Sequence, residues 1–189
     1  MLIAFTGSHS TGKTTLIDRL KEHYKGNDQI QYVDSCTRKV GKEHPINNTE
    51  KDYTLTQLRI LEAHLENIHF SDLTPNRISI LDRCLIDGLI YTMQLVKEGK
   101  VDRSVGIPFL DAVEHHAFHY EIIFYIPAEI ELVKDGVRSE DLEFKKNIDE
   151  LFNSFFSTFG KSFNLIEVKG SIDERFEIVT KHIDNLFYE

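Results

Sequence analysis

Cysteine, basic side chains and long apolar runs are all scarce in this chain, and each shortage removes a class of protein. Two cysteines, Cys36 and Cys84, cannot build a disulfide framework in 189 residues. No apolar run approaches the roughly 20 residues of a membrane-spanning helix. Met1 is followed at once by an apolar stretch with no basic leader, so no secretory signal is expected. Internal repeats, low-complexity tracts and Pro/Gly-rich linkers are missing too. Lysine and arginine number 22 against 31 acidic residues, a formal net charge of −9. That surface repels phosphate backbones at long range and argues against a protein that binds duplex nucleic acid. An anionic ligand must then be drawn by a local cationic pocket. With 41% apolar and 28% charged residues, the remaining expectation is one cytoplasmic globular domain spanning 1–189.

What is present is a regular alternation of short apolar runs and helical stripes. The run "LIAFT" (2–6) reads as a buried strand that stops at Gly7. Leu16, Ile17, Leu20 and Tyr24 then fall at helical spacing until Gly26-Asn27. Further strands are expected in "QIQYV" up to Val33, "RISIL" up to Leu81, "EIIFYI" up to Pro127, and "FNLIEV". Between them, Leu58, Leu61, Leu65 and Ile68 stripe a long helix that ends before Thr74-Pro75. Ile86, Leu89, Ile90, Met93 and Val96 stripe another, closed at Gly99. Pro108 suits a first helical position. A Phe-rich stripe runs from Phe144 to Phe159 and reads as core. Ser171-Ile172-Asp173-Glu174 is a capping-box signature ahead of the last helix. Strands alternating with helices predict an α/β fold, a three-layer sandwich with a five-stranded parallel sheet and helices on both faces. In such sheets ligands bind beyond the carboxyl ends of the strands, which directs attention to the residues after Thr6, Val33, Leu81 and Ile126.

After the first strand comes "GSHSTGKT". It fits the phosphate-loop template G-x-x-x-x-G-K-[ST] over Gly7–Thr14, between a predicted strand and a predicted helix as the chemistry requires. From average residue frequencies, such a match arises by chance in a chain this long at roughly one in a hundred or less. Gly7 and Gly12 let the loop turn amide N–H groups inward. Ser8, His9, Ser10 and Thr11 supply the intervening amides, and Thr14 and Thr15 open the helix whose positive end adds to the anion site. Lys13 would reach the outer phosphates. Thr14 would give its hydroxyl to Mg²⁺, a cation that prefers oxygen ligands. The His9 side chain occupies a free position in the template and is expected to face solvent.

"ISILDRC" places Asp82 and Arg83 at the carboxyl end of the third strand. An apolar strand ending in Asp supplies the second half of a phosphate-loop site, with Asp82 expected to hold Mg²⁺ through water. A capping Asp at a strand-to-helix turn would look the same. The next residue separates two chemistries. A motor ATPase places a second carboxylate here to activate water; this chain has Arg83, a cation that suits an accepting or transferring phosphate. The site therefore reads as built for transfer rather than hydrolysis.

These segments carry a family resemblance. "LDRCLIDGLIYT" resembles the D/E-R-S segment of deoxyribonucleoside kinases and is similar to the D-R-Y segment of thymidylate kinases. "FTGSHSTGKTTL" with "VDSCTRKV" resembles the phosphate-loop kinases related to the nicotinamide ribonucleoside kinase domain, an AAA-type group with many phage-encoded members. The resemblance implies a Mg²⁺/ATP-dependent kinase of nucleosides or (deoxy)nucleoside monophosphates. Asp34 matches the carboxylate that acts as general base toward the acceptor hydroxyl. Arg38 could grip an acceptor phosphate, as an arginine of this region does in thymidylate kinases; with both residues present, hydroxyl and phosphate acceptors stay open. A lid near 128–142 would bring Arg138, or second Lys134, onto the phosphate charge. The expected partner is a small nucleoside or nucleotide. Resembling kinases are often dimers, which leaves a homodimer open. No N-K-x-D-like guanine signal is present, which favours ATP as donor.

Two other readings compete. One is a phosphate-loop kinase acting on hydroxymethylated bases in phage DNA; the acidic balance and the lack of a basic, aromatic-interleaved patch count against it. The other is a nucleotide-binding regulatory ATPase. His115, His116 and His119 cluster on one predicted helix but lack the H-E-x-x-H pattern, and the helix leads into a strand from the far side of the sheet. A surface or core-edge cluster is expected there.

Overall fold

The computed structural model describes residues 1–43, 50–73, 77–128 and 139–187. Its frame is a parallel sheet of five strands in the order β2-β3-β1-β4-β5. The strands are β1 (Leu2–Thr6), β2 (Ile30–Val33), β3 (Ile78–Asp82), β4 (Tyr120–Tyr125) and β5 (Leu165–Glu167). β1 and β3 are buried along their whole length. This is why both read as mostly apolar runs rather than as a strict alternation, with Thr6, Ser79 and Asp82 the polar residues they bury. β5, at the edge, is only three residues long, shorter than its apolar run suggests.

Helices cover both faces. On one side α3 (Glu50–Leu73), α4 (Leu85–Lys97), α5 (Gly106–His116) and α6 (Ser139–Phe159) pack over Leu2, Ala4, Leu81 and Ile123. On the other, α1 (Lys13–His23) and α7 (Ile172–Asn185) pack over Ile3, Phe5, Ile80 and Phe124. Alternate residues of β1 thus feed opposite cores, as a period of two demands. Phe5 and Phe124 face each other across adjacent strands with ring centroids 5.1 Å apart. Each buried apolar side chain of this kind contributes about 1.5–3 kcal/mol.

Several helix ends follow their local chemistry. Ser171 accepts from the Glu174 backbone while Glu174 accepts from the Ser171 backbone, so the capping box at α7 is formed. α3 ends at Leu73, where Thr74-Pro75 predicts a stop. α5 departs from expectation: it starts at Gly106, two residues before Pro108. Proline is tolerated there because the first-turn N–H groups have no partner within the helix. A short helix also follows β2, α2 (Cys36–Glu43), with Cys36 and Val40 as its buried side.

The order of strands sets the site. The chain leaves β1 toward β2 on one side of the sheet, inserts β3 between them, then crosses to β4 on the other side. The carboxyl end of β1 lies at this switch point. The register puts Phe5 beside Asp82 and Thr6 beside Tyr125, so the ends of β1, β3 and β4 finish together under the loop that begins at Gly7.

Candidate active site

The loop after β1 has the backbone that its glycines permit. Gly7 has φ +130° and Gly12 φ +88°. At Gly7 a Cβ would stand 2.3 Å from the Ile126 carbonyl oxygen, so no side chain fits between the loop and the end of β4. Ser10 also takes a positive φ of 59°. Thr11 and Lys13 are buried, and Thr14 is half-buried at the start of α1. Lys13 Nζ donates to Gly7 O at 2.9 Å, to Thr11 Oγ1 at 3.0 Å and to Ser8 O. Burial first and then Arg83 bring its pKa down to about 8, with Asp87 and Asp82 pulling the other way.

A second support reaches the loop from the far end of the chain. Arg175, in the first turn of α7 and 3% exposed, donates from Nη1 to Thr11 O at 2.8 Å and from Nε to Gly170 O at 2.7 Å. The partners Thr11 and Arg175 are 164 residues apart, and no local pattern in the sequence marks this pairing.

Under the loop, the end of β3 carries the second half of the site. Asp82 is the last residue of that strand and is nearly buried. Thr14 Oγ1 donates to Asp82 Oδ2 at 3.2 Å. Arg38 Nη2, from α2, lies 2.7 Å from Thr14 Oγ1 and 3.0 Å from Asp82 Oδ2. Hydroxyl and carboxylate oxygens converging on one cationic nitrogen are the donor set that a hard divalent ion takes. The residues present therefore fit Mg²⁺, with Thr14 and Asp82 able to hold it.

Arg83 has φ +88°, a strained conformation for a bulky residue, costing roughly 1–3 kcal/mol. Three contacts hold it. Its N–H donates to Phe5 O at 2.9 Å. Its Nη1 donates to Asp87 Oδ1 at 3.0 Å. Its guanidinium lies 4.9 Å from the Tyr91 ring centroid. Tyr91 in turn accepts the His9 backbone N–H at 3.0 Å, tying α4 to the phosphate loop. Burial opposes the Arg83 charge, but Asp87, then Tyr91 and Asp82, outweigh it and keep its pKa above the ordinary arginine value.

Asp87 was not legible as a site residue. It is 2% exposed and its Oδ2 accepts from Thr6 Oγ1 at 2.7 Å and from the Cys84 N–H at 3.0 Å. One carboxylate thus joins the end of β1, the turn after β3 and the cation at the site. In sequence it looks like an ordinary acid in the first turn of a helix. His64, on α3, is also buried nearby; burial lowers its pKa to about 4, so it adds no charge beside Arg83 at neutral pH.

The other expectations divide. Asp34 is exposed just after β2, and it lines a groove of about 570 Å³ between α2 and α3 with Arg38, Lys39, Lys42, Glu66 and Asn67. His9 does not simply face solvent: its Nδ1 is 3.3 Å from Tyr91 Oη, and its ring is 6.2 Å from that of Phe144. Phe144, at the start of the Phe stripe, therefore borders the site, while Phe152 and Phe156 are core. Arg138 and Lys134 lie outside the described residues, as does most of the expected lid at 128–142; its last residues, from Ser139, begin α6. His119 stands in a 3-10 turn beyond α5 rather than on one helix with His115 and His116. Among the described residues no group of three or more His, Cys, Asp or Glu is arranged to hold a metal. Cys36 and Cys84 are both buried and free. No described helix is long and apolar enough to cross a membrane.

A family model described as an AAA domain matches residues 2–175. The fold is that of a deoxyadenosine kinase from M. mycoides. Its structure with the products dCMP and a flexible dCDP has a TM-score of 0.72 at 16% identity, covering 98% of this chain and 100% of the other. Its dATP-bound structure has a TM-score of 0.70 at 16% identity, covering 97% and 99%. Its dCTP-bound structure has a TM-score of 0.68 at 17% identity, covering 98% and 100%. No curated protein sequence matches the chain.

Proposed function

The chain belongs to a family of AAA domains, and from that premise we propose that it is a Mg²⁺/ATP-dependent phosphotransferase acting on a nucleoside or (deoxy)nucleoside monophosphate. One observation carries the reading: the residue after Asp82 is a cation, Arg83, held in a strained conformation by a buried carboxylate. Strain of this kind persists where the surroundings over-determine it, and it concentrates at functional positions. A hydrolase has use for a water-activating carboxylate at that point. A fixed guanidinium instead stabilises negative charge on a phosphate in transfer.

The proposed roles combine the motif positions with the geometry of the residues described. Gly7 to Thr15 cradle the triphosphate through backbone amides and the α1 terminus. Lys13 leaves its loop oxygens for the outer phosphates. Thr14 and Asp82 would hold Mg²⁺, which would supply neutralisation of the phosphate charge. Asp34 takes the proton from an acceptor hydroxyl as that oxygen bonds to the γ-phosphorus and the bond to the bridging oxygen of ADP breaks. Arg83, Arg38 and Arg138 meet acceptor or transition-state charge. That the deoxyadenosine kinase with this fold binds dCMP, dATP and dCTP supports a substrate of the same class.

The test is a turnover panel of ATP, Mg²⁺ and each common nucleoside and deoxynucleoside monophosphate. ADP release should rise at least tenfold with one acceptor or a small group of them. A rate no higher than the acceptor-free rate across the panel would sink the reading.

A further inference from the structure

Arg38 stands in a place that the proposed chemistry needs for something else. Its Nη2 donates at once to Thr14 Oγ1 and Asp82 Oδ2, the two oxygens suited to the divalent ion. A divalent ion seated on the same two oxygens would meet the guanidinium's like charge within a few ångströms, and that repulsion sets the two in competition. The guanidinium comes from α2, across the acceptor-side groove that also contains Asp34, Lys39 and Lys42. Its own side chain is 55% exposed, whereas Asp82 is 8% exposed. The arginine can therefore swing into solvent or into the groove without disturbing a core, while Asp82 cannot follow it.

Resting on the kinase reading of the same site, we propose that Arg38 is a displaceable placeholder for the metal. It neutralises Asp82 until a divalent ion arrives with the nucleotide. The ion then takes Thr14 Oγ1 and Asp82 Oδ2, and Arg38 is released toward the groove beside Asp34. Donor binding thereby arms the acceptor side with a cation, which makes the two binding events cooperative. Lys13 behaves in parallel, its ammonium resting on the loop carbonyls of Gly7 and Ser8. Arg38 differs in that its release links two separate subsites.

The displacement cost is bounded by the pair it breaks. Ion pairs with one exposed partner are weak, so removing the competitor should tighten metal–nucleotide binding by about threefold to tenfold. The probe is ADP, titrated calorimetrically with and without Mn²⁺ into the wild type, Arg38→Ala and Arg38→Gln. The quantity read is the ratio of the Kd without Mn²⁺ to the Kd with it. That ratio should rise about threefold to tenfold in both variants, because only the metal competes with the guanidinium. An unchanged or smaller ratio in both variants overturns the placeholder role while leaving the kinase reading intact. Mn²⁺·ADP binding with the expected ratio but no acceptor-stimulated turnover overturns the kinase reading alone. No binding of Mn²⁺·ADP by the wild type overturns both.

Discussion

Lys13 carries its charge against the pull of its surroundings. Burial brings its pKa from 10.5 down to about 8. The unfolded chain therefore binds more protons than the folded one between about pH 8 and 10.5. Stability from this group rises with pH across that window and is lowest below it. The phosphates of a bound nucleotide would favour the charged amine and raise the pKa again. Nucleotide binding at pH 8 should then take up a proton fraction on the order of one half, seen as a dependence of the calorimetric heat on the ionisation enthalpy of the buffer. Heat independent of buffer at pH 8 would contradict the role of Lys13. At this scale the sequence was informative wherever one residue's identity sufficed. Gly7 had to lack a side chain, Lys13 and Thr14 had to follow Gly12, and Asp82 had to end an apolar run. His9 went astray because its partner, Tyr91, is 82 positions away and unmarked.

Elements meet at Asp87. It links β1 through Thr6, the turn after β3 through Arg83 and the Cys84 N–H, and the first turn of α4. Removing one partner of a buried pair leaves an uncompensated charge, a loss of roughly 3–5 kcal/mol, whereas replacing both by apolar groups is often close to neutral. Asp87→Ala should lower the free energy of urea unfolding by about that amount. The double variant Arg83→Met/Asp87→Leu should recover most of the loss in stability and none of the phosphotransfer. A loss below about 1 kcal/mol in Asp87→Ala would show that the carboxylate is not anchoring Arg83. Element types and order were legible because each strand is an apolar run and each helix a stripe. What joined them was not: Arg175 to Thr11 and Arg38 to Asp82 are tertiary pairings, and an exposed-looking charge in sequence carries no sign of the partner it finds. Helix α2 was similarly hard to see, because eight residues with two buried side chains make too short a stripe.

The whole molecule places a cationic cluster at the switch point of a parallel sheet inside a chain of net charge −9. Lys13, Arg38 and Arg83 converge there on Asp82 and Asp87, an arrangement in keeping with the small anionic ligand proposed above. The three-layer architecture followed from alternation alone, since each strand buried on both faces needs helices on both sides. The groove proposed for the acceptor was less legible, because it forms between α2 and α3, whose facing residues are set by packing rather than by motif. The central claim is that the terminal phosphate goes to an acceptor and not to water. Its most direct test supplies γ-labelled ATP and Mg²⁺ with nucleosides and deoxynucleoside monophosphates, then separates labelled acceptor from labelled inorganic phosphate. The account predicts that most of the label appears in a phosphorylated nucleoside or nucleotide, with free phosphate near background. Label recovered only as inorganic phosphate, whatever the acceptor, would contradict it.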